Sequence, residues 1–112
     1  MDNKELEIVW FDVGELDYSV GTADEWELNE RTLKEGTCVN ESLRFLQVDV
    51  AANGLVNPLI ITEEKKVLIG NQRLCVARSL GIERVACVVT VREHGYEAKV
   101  ATHKPTEYNK RF

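Results

Sequence analysis

"VLIGNQRLCVARSLGI", from Val67 to Ile82, decides how the chain is read. An apolar run ends in Gly70, a segment with helical spacing follows, and Gly81 closes it. Leu74, Ala77 and Leu80 recur every third residue, which gives a helix from about Asn71 to Leu80 one apolar side. A glycine between strand and helix permits a tight turn and lets another group approach the backbone. The first turn of a helix leaves about four N–H groups without intrahelical partners and carries a partial positive charge. Arg73 stands in that turn with a planar fork suited to phosphate oxygens. Gly70, Asn71, Gln72 and Arg73 therefore form a candidate anion pocket. The same residues also suit a plain turn, with Gly70 ending a strand, Asn71 capping the helix and Arg73 paired with a surface acid. Spacing alone leaves both readings open.

Working outward, "NPLIIT" (Asn57–Thr62) reads as a short buried strand, because Pro58 at its start needs no ladder donor. "TEEKK" is a charged turn into the strand "VLIG". Before these, "VNESLRFLQVDVAANG" reads as a helix. Asn40 suits the N-cap and Glu41 the first turn, while Gly54 can take a positive φ that stops it. Leu43, Leu46 and Val50 lie on one face. After Gly81, "ERVACVVTV" alternates as a strand. Val85, Cys87, Val89 and Val91 point one way; Ala86, Val88 and Thr90 point the other. "LEIVWFDV" (Leu6–Val13) is a further strand. Residues 14–37, with three glycines and many acids, read as loops with at most a short helical turn. A connection of that length suggests a functional role. The sum is a mixed α+β domain, a small mixed β-sheet with packed helices, followed by a polar tail over 92–112. Leu46, Leu74, Ala77 and Leu80 are its expected core.

The 112 residues suffice for one compact domain, and no apolar run approaches the ~20 residues that span a bilayer. The start "MDNKELEIVWF" carries acids where a signal peptide needs a basic stretch, so a cytoplasmic setting is expected. Cys38, Cys75 and Cys87 are odd in number and lack CxxC spacing, and His94 and His103 stand at no ligand spacing to them. Structural thiols are expected, with neither zinc nor haem. Residues 1–35 carry eleven acids and three bases. Such a surface suits solvent or a basic protein partner and is a poor one for duplex DNA.

The ordered pattern "ANGLVNPLIITEEKKVLIGNQRLCVARSLGIERVACVV" resembles the core of the ParB/sulfiredoxin superfamily. In that family a helix ends in glycine, Gly-x-x-x-Pro leads into an apolar strand, and a second strand ends in G-x-x-R. A helix closing in Leu-Gly and a last apolar strand complete it. Gly54 and Pro58 match the first element, Gly70 and Arg73 the second, Ala77, Leu80 and Gly81 the third, and Val85–Val89 the last. The resemblance spans roughly residues 43–91, with "IVWFDVGEL" similar to the opening strand.

The resemblance implies phosphate binding at Gly70, Asn71, Gln72 and Arg73, with Gly54 and Pro58 shaping the neighbouring wall. ParB proteins bind and hydrolyse CTP, sulfiredoxins use ATP, and a related serine kinase transfers phosphate. The implied ligand is thus a nucleoside triphosphate with Mg²⁺. Departures bound this. Sulfiredoxin's cysteine and histidine after the glycine are Asn71 and Gln72 here, and an amide is no thiolate nucleophile. ParB proteins carry more cations after the glycine. Where their preceding helix offers a hydroxyl near the phosphates, Asp49 stands here, a magnesium ligand or the mark of a decayed site. Asp49 and Glu41 are the residues to consider as a base. The chain stops before the helix-turn-helix module that follows this domain in ParB proteins, so autonomous DNA binding is not expected, and the tail cations Lys99, Lys104, Lys110 and Arg111 suit a solvated or partner-binding end. Stand-alone domains resembling this one occur in phages and mobile elements. The competing reading is a non-enzymatic interaction module meeting a basic partner through the acidic first third. A nuclease ranks last, because no cluster of acids stands at metal-site spacing.

Overall fold

Residues 7–90 are described by the structure, a computed structural model. Val91, His94, His103, the tail cations and the residues before Glu7 lie outside them. Four strands form one mixed sheet: β1 (Val9–Asp12), β2 (Leu59–Thr62), β3 (Val67–Ile69) and β4 (Arg84–Thr90), in the order β1-β4-β2-β3. β4 runs antiparallel to β1 and parallel to β2, while β2 and β3 form an antiparallel hairpin. The near-continuous apolar run of β4 suits this inner position, where both faces are shielded. The hairpin turns through Thr62, whose hydroxyl accepts from Glu64 and Lys66 N–H at 3.2 and 3.1 Å.

Among the described residues there are three helices, α1 (Ala23–Glu35), α2 (Glu41–Asn53) and α3 (Asn71–Ser79), of which α3 packs against β2 and the other two pack against α3. Asn40 caps α2 as its sequence indicates, accepting from Leu43 N–H at 3.1 Å, and Leu43 and Val50 turn inward. Alternate residues of β4 divide as expected, with Val85 and Cys87 in the core beneath the helices.

Residues 14–37 are not a loop. After a 3-10 turn at Val13–Glu15 they contain α1, thirteen residues long, which packs along α3. The helix begins after Thr22 with Asp24 and Glu25 in its first turn and ends at Gly36 in the left-handed conformation. Acids at the start of a helix are favourable, and a left-handed glycine is a normal stop. Only Leu33 of this helix is buried, so the apolar stripe is thin. Between β1 and α1, Asp17 pairs with the outer side of β3: its N–H donates to Lys65 O and its carbonyl accepts from Val67 N–H, at 2.9 and 2.8 Å. That contact covers part of an open sheet edge.

α3 lies between its sister helices and the sheet. Leu74, Cys75, Val76 and Ala77 are all fully buried, a whole turn rather than one stripe. Leu46 and Leu80, expected in the core, are only half-buried against it; Leu80 is the C-cap of α3, where the helix ends.

Candidate functional site

Strand β3 and helix α3 meet at Gly70, which occupies the N-cap of α3 with φ 118°. A Cβ there would stand 2.9 Å from Leu59 Cγ. Backbone conformation and packing both exclude a side chain at this point. Leu74 N–H donates to the Gly70 carbonyl at 2.9 Å, closing the first turn, and among the described residues no side chain makes a cap bond at the helix start.

Asn71 is therefore not the N-cap, as one sequence reading had it, because the chain enters the helix one residue earlier. Its amide is committed instead to the segment before α1. Oδ1 accepts from Ser19 N–H at 3.0 Å, and Nδ2 donates to Ser19 Oγ at 2.8 Å. Ser19 Oγ in turn donates to Val67 O at 2.7 Å. The start of α3 is thus pinned to β3 and to residue 19.

Gln72 is exposed and Arg73 half-buried. Burial pulls the Arg73 guanidinium below its ordinary pKa, but a guanidinium stays charged in a protein. Pro58 is buried, and the next residue, Leu59, is the one against Gly70. Gly54 ends α2 with φ 79°, its N–H bonded to Val50 O at 2.8 Å. It also lines a hollow of 210 Å³ with Trp10, Leu55, Asn57 and Arg84. The run Asn57-Pro58-Leu59 thus reaches from that hollow to the start of α3.

Asp49 is exposed on α2 and accepts from Asn53 Nδ2 at 2.9 Å; Glu41 is exposed in the first turn of the same helix. Among the described residues, no group of three or more His, Cys, Asp or Glu could hold a metal ion.

Arg78, which no sequence pattern marks, organises the other end of α3. Its guanidinium donates to Val13 O and Leu16 O at 2.8 and 2.6 Å, pairs with Glu30 at 3.2 Å, and lies 5.0 Å from the Tyr18 ring centroid. Tyr18 donates its hydroxyl to Glu30 and stacks on Trp26. Burial, with Glu30 adding to it, pushes the Tyr18 phenol well above its ordinary pKa. An arginine late in a helix reads as a surface charge, so only its partners betray it. All three cysteines are buried, and burial pushes the Cys75 and Cys87 thiols up to about 12.

No family model matches the sequence, and no curated protein does. A solved structure, a Pnob8-like ParB-N domain, is similar with a TM-score of 0.55 at 18% identity. The match covers 85% of this chain and 33% of that one, so this chain spans about a third of its length. The fold is ParB-N-like.

Proposed function

We propose that this chain is a ParB-like domain that binds a phosphate-bearing ligand, most simply a nucleotide, at the first turn of α3. The observation that carries the reading is the helix start itself. Gly70 brings no side chain to it, no side-chain cap bond is made there among the described residues, and Arg73 stands in its first turn with a charged fork. Helix N-termini of this kind favour phosphate, since N–H groups and the macrodipole act together. Asn71 serves as a positioning residue by fixing the helix start to Ser19.

The residues present fit a phosphate better than a protein-held metal. Mg²⁺ is commonly carried on substrate phosphates with one or two carboxylates and water. Asp49 is the carboxylate to test for that role; its exposed position on α2 does not by itself favour it. Hydrolysis or phosphoryl transfer would need a base, for which Asp49 and Glu41 are the residues to substitute first. The solved neighbour's ParB-N character supports the fold from which this reading starts.

A thermal-shift panel of nucleoside triphosphates, with and without Mg²⁺, tests the proposal. Stabilisation by a nucleotide that is lost in Arg73→Ala supports it. A flat panel leaves the accessory, interaction-module reading, which the many exposed acids of the N-terminal third favour.

A further inference from the structure

We propose that the outward face of α2 is a docking site for a basic, amphipathic helix of a partner protein. The proposal rests on residues other than the first turn of α3; it shares Glu41 and Asp49 with the roles considered above, and Phe45 and Val48, which belong to it alone, keep the two tests distinguishable. Leu43 and Val50 turn inward, while Glu41, Phe45, Val48, Asp49 and Ala52 are exposed on the same helix. Phe45 leaves 66% of its surface to solvent and Val48 68%. Positions 41, 45, 48 and 52 are spaced by four, three and four, the seam that a second helix laid alongside would take. Phe and Val are weaker helix formers than Ala, Glu or Lys. At these exposed positions they contribute neither helix propensity nor core packing.

Charge selects the occupant. α1 and α2 carry seven carboxylates against three cations, and Glu41 and Asp49 lie on the exposed face itself. Arg44, the single cation of α2, directs its guanidinium to Cys38 O at 2.9 Å. A second copy of this chain would bring the same negative field against itself, and nucleic acid or an anionic membrane would be repelled. A helix with apolar residues on one face and lysine or arginine flanking them meets both features. Its apolar side covers Phe45 and Val48, and its cations face Glu41 and Asp49.

The test titrates the full chain with a fluorescent helical Leu/Lys peptide whose leucines form one stripe, read by anisotropy. A peptide of the same composition in scrambled order is the control. The striped peptide should saturate, more weakly as salt rises, and the scrambled one should bind at least about tenfold less tightly. Phe45→Ser with Val48→Ser should weaken binding by a similar factor while leaving the melting temperature and nucleotide response unchanged. Glu41→Gln with Asp49→Asn should flatten the salt dependence, which keeps the test decisive should the first pair perturb folding. Equal binding of both peptides, or binding indifferent to both pairs of substitutions, overturns the proposal. So does a dimer in sedimentation equilibrium that Val48→Ser dissolves, or Phe45-dependent binding to anionic phospholipid vesicles.

Discussion

Gly70 shows how much of the candidate site rests on one missing side chain. Its φ of 118° and the 2.9 Å approach of a hypothetical Cβ to Leu59 Cγ act in the same direction. Gly70→Ala should lower stability by about 1–3 kcal/mol, read by urea unfolding. Asn71→Ala removes both bonds to Ser19 and should cost about 1–2 kcal/mol. The glycine was legible in the sequence, since a strand ending in glycine before a helix needs such a turn. The task of Asn71 was not, because Ser19 lies 52 residues away and no local pattern links them. The thiols make a further prediction. Cys75 and Cys87 are held protonated by burial, with pKa values raised from an ordinary 9.0 to about 12. A raised thiol pKa gives stability that is complete below the unfolded value and is lost toward the folded one. Unfolding free energy should therefore fall as pH rises from about 9 to about 12, and less steeply in Cys75→Ala or Cys87→Ala. Both thiols should resist alkylation at neutral pH, as buried protonated sulfur does.

Helix α3, which carries the candidate site, packs against α1, α2 and β2. Leu74→Ala should cost about 2–5 kcal/mol, since Leu74 is fully buried. Leu80→Ala, at the half-buried rim, should cost on the order of 1 kcal/mol. Chemical denaturation of the two variants side by side checks that ranking. α2, α3 and the strands were readable because glycines and apolar spacing marked them, joined at α2 by the capping Asn40. α1 was hidden by its composition. Its thirteen residues hold Trp26, Leu28 and Leu33 as their large apolar side chains, and Leu28 is 49% exposed, so no stripe marks it. Its caps were visible, but acids and flanking glycines also suit a loop. Its partners across the fold decide the matter. Arg78 from α3 reaches Glu30 of α1, and the Cys75 thiol donates to Trp26 O at 3.7 Å.

Across the described residues, a four-stranded mixed sheet with three packed helices presents two separate surfaces. The start of α3 offers an uncapped helix end beside a cation, and the outer helices offer carboxylates around exposed apolar side chains. The order of motifs along the chain made the ParB-N-like fold readable at 18% identity to a solved neighbour, because glycine and proline positions carry the turns. The ligand is less legible, since a phosphate cradle and a plain turn use the same residues. Isothermal titration of the full chain with nucleoside triphosphates, compared with Arg73→Ala, tests the central claim most directly. The account predicts saturable binding of at least one nucleotide, weakened in Arg73→Ala by about 1.5–3 kcal/mol. No binding across the panel, or binding that Arg73→Ala leaves intact, would contradict it.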